Sequence, residues 1–233
     1  MDDPDTRPQW RKKELFELCV FLLLIVPSMM ISFLTLGSGK ETPGFSVLAV
    51  SVIFRDIALT CLIVYFLWRD GEPLAGLGWK GAGLTGESAL GAALFLPILY
   101  GDSIIEKVFE WFGLASNMSR VPQFLSAKGP FEIFLACILV AVVAVAEETI
   151  FRGYLMLRLN EVTGSMTAAV IISSAVFALG HGYEGAAGVG AVFILGILLA
   201  LIYVWRKSLV APVVLHFLID LLPLVLLPLF GIK

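Results

Sequence analysis

The sequence is short of cysteine and of charge, and each shortage excludes a class of protein. Its 233 residues include three cysteines, which are scattered and fit neither a disulfide framework nor a zinc-binding spacing. Because they lie inside apolar runs, we predict that Cys19, Cys61 and Cys137 are buried structural thiols. Charged residues make up 15% of the chain, whereas about a quarter is usual for a soluble domain. The net charge of −3 comes without a basic patch, so a nucleic-acid partner is not indicated.

Apolar residues are abundant, at 59% of the chain with a mean hydropathy of +0.94. An apolar run of about 18 residues or more is long enough to cross a bilayer as a helix. We therefore predict an all-α, polytopic transmembrane helical bundle of about seven spans. The first run is too long for a signal-peptide core and lacks a small-residue cleavage site, so we expect it to be retained. The expected spans cover residues 15–36, 45–68, 87–113, 131 to the motif described below, 165–182, 191–205 and 209–230.

The chain is expected to form a single membrane domain over residues 1–233. It would have a polar N-terminus at 1–13, N-terminal spans within 14–113 and a core of four spans at 131–230. With seven spans, nine Lys and Arg residues fall on the N-terminal side of the membrane and four on the other side. Because basic residues accumulate in cytoplasmic loops, we expect the N-terminus to be cytoplasmic.

Two charged residues, Arg55 and Asp56, interrupt the second span. Neighbouring residues on a helix do not face each other, so we expect each of the two to find a partner elsewhere. One interpretation is a substrate or coupling site. The interpretation that we favour is that the charges reach the bundle interior or snorkel to the membrane surface.

The most informative stretch is residues 146–154, Ala-Glu-Glu-Thr-Ile-Phe-Arg-Gly-Tyr, which follows an apolar run. An ionisable residue inside a membrane costs roughly 2.5–3.5 kcal/mol and is by default a functional hypothesis. On a helix, Glu148 and Arg152 stand at i,i+4 and can pair. Glu147 points about 100° away, on the face of Phe151 and Tyr154, and remains free for chemistry. The simpler interpretation is a buried ion pair that only fixes helix packing.

The chain has two histidines, and each lies four residues from a partner in a C-terminal span. His181 follows Phe177, and His216 precedes Asp220. Three helices can bring these residues together with Glu147 in one cavity. Hydrolysis in such a cavity requires a base that deprotonates water and donors for the oxyanion. Glutamate and histidine also suit a metal that lowers the pKa of its bound water.

The three motifs together resemble the CPBP family of CAAX-protease and bacteriocin-processing membrane proteins, also called Abi. They are Glu147-Glu148-x-x-x-Arg152, Phe177-x-x-x-His181 and His216-x-x-x-Asp220, in this order and on successive helices. The resemblance covers about residues 131–222. It implies a glutamic-type intramembrane endopeptidase that needs no cofactor and has its catalytic core at 131–230.

The resemblance also implies a role for each motif residue. Glu147 would be the general base that activates water, assisted by His181. His216 and Asp220 would stabilise the oxyanion; the family accepts asparagine or aspartate at this last position. The supporting residues would be Glu148, Arg152, Phe177 and Tyr154.

The implied partners are the lipid bilayer and a protein or peptide substrate with a C-terminal membrane-associated segment. The substrate would be a CAAX-type tail, a sorting signal or a bacteriocin-like precursor, cleaved at the plasma membrane of a prokaryote. Two alternatives remain open. One is a metal-dependent membrane hydrolase in which Glu147, His181, His216 and Asp220 bind zinc. The other is a non-enzymatic immunity or scaffold protein whose polar residues only hold helices together.

Overall fold

The computed structural model describes residues 7–36, 43–81, 83–114 and 123–231; residues 1–6 of the predicted polar N-terminus lie outside these ranges. All regular structure within the ranges is helical, which confirms the predicted fold class. The α-helices are α1 (Arg7–Leu36), α2 (Phe45–Asp70), α3 (Leu84–Trp111), α4 (Gly129–Glu147), α5 (Met156–Thr163), α6 (Met166–Leu179), α7 (Gly185–Arg206), α8 (Val210–Leu221) and α9 (Leu227–Leu229). Two π-helical segments, Glu148–Leu155 and Leu222–Leu226, continue α4 into α5 and α8 into α9.

Five stretches of the described chain are long and apolar enough to cross a membrane. They are Phe45–Asp70, Leu84–Trp111, Gly129–Thr163, Gly182–Arg206 and Val210–Leu229. The 30-residue α1 contains the first predicted span, and the 14-residue apolar α6 corresponds to the fifth. Large apolar side chains, such as those of Phe54 and Phe131, are exposed on the outside of the bundle, where lipid can cover them. The chain is therefore an integral membrane protein, and the prediction of about seven spans agrees with these helices.

Three predicted boundaries are wrong by several residues. The fourth span does not end at the motif, because the same continuous helix runs on to Thr163. The fifth helix ends at Leu179, so His181 lies in a turn beyond α6 and not on the helix itself. The sixth helix begins at Gly185 and not at residue 191, because the glycine-rich residues 185–190 also pack as a helix. A Cβ atom on Gly190, for example, would lie 3.0 Å from the ring of Phe109.

Close helix packing gathers the C-terminal helices around the first π-helical segment, Glu148–Leu155, which contacts α2, α6 and α7. At Gly91, α3 approaches α8 so closely that a Cβ atom would lie 2.6 Å from the carbonyl oxygen of Ala211. At Gly196, α7 approaches α6, and a Cβ atom would lie 3.1 Å from Cβ of Ser174. Small residues permit such approach in membrane bundles. The three motifs are thereby brought into one region.

The prediction that the cysteines are buried is wrong. Cys19 of α1, Cys61 of α2 and Cys137 of α4 are all free thiols with exposed side chains. In a membrane protein an apolar run does not identify its buried face, because lipid tails are as apolar as the bundle interior. The three residues therefore lie on faces that the bilayer can cover.

Candidate active site

The glutamate motif lies at a change of helix type. Glu147 is the last residue of α4, and the π-helical segment from Glu148 to Leu155 is buried throughout. Short π-helical stretches within α-helices occur frequently at functional sites. The segment is anchored from two sides: Ser173 Oγ donates to the carbonyl oxygen of Phe151 at 2.7 Å, and Trp79 Nε1 donates to Thr149 Oγ1 at 3.1 Å. The π-helix could not be predicted from the sequence, because it forms within an otherwise ordinary helical pattern.

Glu148 is fixed by its neighbours through one oxygen, Oε1, whereas its buried Oε2 atom makes no hydrogen bond within the described chain. Oε1 accepts hydrogen bonds from Nη1 of Arg152 at 2.8 Å and from Nδ1 of His216 at 2.7 Å. The predicted i,i+4 ion pair with Arg152 is present, with side-chain exposures of 0% and 1%. Arg152 also donates to the carbonyl oxygen of Gly196 at 3.3 Å, and its guanidinium lies 4.3 Å from the centre of the Phe177 ring. Glu148 and Arg152 thus join the fourth, sixth, seventh and eighth helices.

Glu147 is held less directly than Glu148. Its Oε2 atom makes no hydrogen bond within the described chain and lies 3.9 Å from Nε2 of His216. Its Oε1 atom lies 3.8 Å from Nη2 of Arg55. Both distances exceed the length of a direct hydrogen bond. The two adjacent glutamates therefore differ as the helical offset predicted: one carboxylate is fixed by direct bonds and the other is not.

His216 stands between three carboxylates. Besides the contact of Nδ1 with Glu148, its Nε2 atom lies 3.5 Å from Oδ2 of Asp220 and 3.9 Å from Oε2 of Glu147. An ionised carboxylate only accepts hydrogen bonds, so Nδ1 carries a hydrogen toward Glu148. Nε2 is held less closely, because its distances to the other two carboxylates are longer than the 2.7 Å contact of Nδ1. The imidazole is therefore fixed on its Nδ1 side and faces Asp220 and Glu147 with its Nε2 side.

Phe177 and His181 complete the arrangement. The Phe177 ring contacts the His181 ring at 5.0 Å and the His216 ring at 5.9 Å between centroids, so both imidazoles lie against one aromatic side chain. Nδ1 of His181 lies 3.3 Å from the carbonyl oxygen of Phe177. Tyr154 lies outside this arrangement, because its ring packs edge-on against that of Phe21, with 5.1 Å between the ring centroids.

The prediction that Arg55 and Asp56 each find a partner elsewhere is wrong for Asp56, which pairs with Arg55, whereas Arg55 also lies 3.8 Å from Glu147. Nε and Nη2 of Arg55 contact Oδ1 of Asp56 at 2.8 and 2.7 Å. The arginine side chain is long enough to reach the carboxylate of the neighbouring residue, although the two Cβ atoms diverge on a helix. Together with Glu147 they line a pocket between α1, α2 and the end of α4. The sequence feature that pointed to these residues was a pair of charges in an apolar run, but the sequence could not reveal which helix they face.

The donor geometry bears on the metal-dependent alternative. Two atoms bound to one zinc ion lie within about 4.5 Å of each other, because each bond is about 2.0–2.2 Å long. Within the described ranges, one group of three acidic or histidine residues has all its ligand atoms within 4.8 Å, and this group is Glu14, Asp70 and Glu72. These carboxylates already contact basic side chains. The four residues predicted as zinc ligands do not form such a group in the part of the chain described.

The fold and the site define a class: a polytopic helical membrane protein with glutamates and histidines gathered inside the bundle. The sequence profile described as type II CAAX prenyl endopeptidase Rce1-like matches residues 129–222. The match begins with α4, includes all three motifs and confirms the predicted resemblance to the CPBP and CAAX protease family. It supports a CAAX-type intramembrane endopeptidase in general terms. No curated protein and no solved structure matches the chain significantly.

Proposed function

We propose that the protein is an intramembrane endopeptidase that hydrolyses a peptide bond near the membrane in a CAAX-type C-terminal tail. The observation that carries the proposal is the contrast between the adjacent glutamates. Glu148 accepts direct hydrogen bonds from Arg152 and His216 through Oε1, whereas Glu147 has no direct hydrogen bond among the described residues and its Oε2 lies 3.9 Å from Nε2 of His216. A polar separation of this length suits one water molecule that contacts both groups.

In the proposed reaction, Glu147 takes a proton from this water, assisted by His181. The water oxygen forms a bond to the peptide carbonyl carbon, and the carbonyl oxygen becomes an oxyanion. His216 and Asp220 stabilise the oxyanion, with Asp220 orienting the imidazole across the 3.5 Å contact. The C–N bond then breaks, and the proton held by Glu147 passes to the leaving nitrogen. Glu148 and Arg152 keep His216 in place throughout.

The character of the pocket supports a membrane-associated substrate. Beside its charged side, formed by Arg55, Asp56 and Glu147, the pocket is lined by apolar side chains of three helices. These are Ile25, Met29, Leu59, Ile150 and Phe151. Such a wall suits a tail that remains partly in the bilayer. Of the three substrate classes considered, the profile's description favours the CAAX-type tail over sorting signals and bacteriocin-like precursors.

The experiment is a cleavage assay with the purified protein in lipid nanodiscs. One peptide ends in a prenylated CAAX sequence and its matched control is the same peptide without the prenyl group. We expect release of the C-terminal tripeptide from the prenylated peptide, identified by mass spectrometry, and slower release from the control. Cleavage of neither peptide would contradict the CAAX proposal. Proteomics of C-terminal fragments in cells with and without the protein would then identify the substrate class.

We also propose that the N-terminus and the C-terminal end of α5 face the cytoplasm. Glu14 at the start of α1 contacts Arg158 of α5 at 3.0 Å, which supports a common side for these two ends. A Thr163→Cys variant in a cysteine-free protein tests the orientation. We expect a membrane-impermeant thiol reagent to label it in inverted vesicles. Labelling from the outside of intact cells only would reverse the assignment.

A further inference from the structure

Arg55 and Asp56 lie within α2, outside the residues that match the family profile, yet they border the site. The side chain of Asp56 is 1% exposed, whereas that of Arg55 is 42% exposed. Inside a membrane a charged side chain almost always faces the bundle interior or a water-filled cavity. The pocket shared with Glu147 provides such surroundings.

The contacts of the guanidinium give it a fixed direction. Oδ1 of Asp56 accepts a hydrogen bond from Nε of Arg55 and lies 2.7 Å from Nη2, so the planar group is held along one edge. In this orientation Nη2 lies 3.8 Å from Oε1 of Glu147. The other oxygen of Glu147, Oε2, is the one nearest to His216. Arg55 therefore approaches the oxygen that faces away from the reacting centre.

Each of the two glutamates has its own arginine, but the distances differ. Arg152 makes a direct hydrogen bond of 2.8 Å to Glu148, and this bond fixes the carboxylate. Arg55 stays 3.8 Å from Glu147, beyond hydrogen-bond length. At that distance the positive charge stabilises an ionised carboxylate and limits its direction without occupying its lone pairs. This arrangement suits a carboxylate that must accept a proton from water.

We propose that Arg55 and Asp56 are positioning residues of the hydrolytic site, an inference that rests on the proposed function. Asp56 holds Arg55, and Arg55 holds the carboxylate of Glu147 so that Oε2 is directed toward the water beside His216. Neither residue contacts the reacting atoms. The N-terminal helices would then contribute to catalysis as well as to the bundle.

Steady-state kinetics with the CAAX-type peptide test this proposal. Arg55→Gln should lower kcat by up to about 100-fold, the cost of misplacing a reacting group by roughly 1 Å. KM should change little, because the orientation of the base is altered and not the binding of the peptide. Arg55→Lys should recover part of the loss, because it restores the positive charge beside Glu147 but not the planar group that Asp56 holds. The matched control is Arg206→Gln, which breaks an arginine–glutamate pair of similar exposure, 38%, at Glu87 of α3 and should keep the wild-type kcat.

A double variant separates the two positions. Asp56→Asn alone should lower kcat with an unchanged KM, because a neutral amide holds the Arg55 guanidinium less firmly than a carboxylate does. In the Arg55→Gln background the same change should cause no further loss, since Asp56 acts through Arg55. If Arg55→Gln does not yield folded protein by size-exclusion chromatography, Asp56→Asn and Arg55→Lys still test the proposal through the same kcat and KM values.

Three outcomes would overturn the inference. A wild-type kcat in folded Arg55→Gln would show that the pair does not act on Glu147. A rise in KM alone, confined to peptides with a free C-terminal carboxylate and absent for amidated ones, would assign the guanidinium to substrate binding. Wild-type protein that cleaves no peptide would overturn the proposed function together with this inference, whereas active wild type with unaffected variants would overturn the inference alone.

Discussion

Arg152 and Arg158 are both buried and lie six residues apart on one continuous helix, but they organise different clusters. Arg158 contacts the carboxylates of Glu14 at 3.0 Å, Glu72 at 2.9 Å and Glu161 at 2.9 Å, and its guanidinium lies 5.3 Å from the Tyr154 ring centre. Arg152 has one carboxylate partner, shared with a histidine. The Arg158 cluster ties α1 and the α2–α3 connection to α5. The Arg152 cluster lies beside a second carboxylate, that of Glu147, which has no direct hydrogen bond in the part of the chain described.

The difference indicates how a stabilising cluster can be distinguished from a reactive one inside a membrane. Around Arg158 the carboxylates have a direct partner in the guanidinium, so the cluster stabilises the fold. Around Arg152, Glu148 has direct partners at Oε1 whereas Glu147 has no direct hydrogen bond from a described residue, and the nearby imidazole of His216 can both accept and donate a proton. The reactive cluster is recognised by a carboxylate that no direct bond holds beside a histidine and not by the number of charges.

The largest expected effect is that of Glu147→Gln. Glutamine keeps the shape but cannot take a proton from water, so kcat should fall by about 10²–10⁴-fold, the usual contribution of a general base. Thermal stability should stay near the wild-type value, because Oε2 makes no hydrogen bond that would be lost. Cleavage assays and melting curves on the purified variant measure both. Full activity in this variant would refute the general-base assignment.

Glu148→Gln should affect stability more than chemistry. Arg152 would remain buried without its charged partner, which costs on the order of 3–5 kcal/mol. His216 would also lose the carboxylate that accepts from Nδ1. We expect a clear loss of detergent stability, with activity per folded molecule well above that of Glu147→Gln. Equal stabilities of the two variants would contradict the contrast between the glutamates.

Asp220→Asn separates hydrolysis without metal from the zinc alternative. An ionised aspartate cannot donate to an oxyanion, whereas asparagine can donate directly and still contact His216. We expect a loss smaller than about tenfold, below the usual range for removal of a general base, and activity that resists strong chelators. Stoichiometric zinc in the wild type, with inactivation by chelation and recovery on adding metal, would favour the alternative.

The smallest effect concerns the stabilising cluster. Burial raises the pKa of Glu14 from its ordinary 4.5 to about 7, opposed by the charge of Arg158. A carboxyl group with a raised pKa in the folded state stabilises the fold fully below pH 4.5, and this contribution is lost as the pH rises to about 7. Tm should therefore fall less steeply over that interval in Glu14→Gln. An unchanged pH dependence of Tm would mean that Glu14 does not titrate in this way.

Much of the fold, and the part of the site that lies on a single helix, could be predicted from local patterns. Apolar runs indicated the helices, and i,i+4 spacing indicated the Glu148–Arg152 pair, because both depend on a single helix. Contacts between helices could not be predicted in the same way. The approach of Arg55 to Glu147 depends on how α2 packs against α4. The exposure of the cysteines likewise depends on which face lipid covers.

The motif histidines illustrate the same limit. His216 and Asp220 share a helical face as predicted, but the contact of His216 with both glutamates follows from the packing of α8 on α4. His181 was expected on a helix and lies in the turn after α6. Its predicted assistance to Glu147 stays a prediction.

The central claim is that Glu147 acts by accepting a proton, and chemical rescue tests it most directly. Glu147→Ala removes the base and leaves space beside His216 into which a small carboxylate such as formate can enter. We predict that formate restores peptide cleavage by Glu147→Ala in a saturable manner and does not restore it in Glu148→Ala, whose site lacks a structural partner of Arg152. Rescue of Glu148→Ala alone, or undiminished cleavage by Glu147→Ala without formate, would contradict the account.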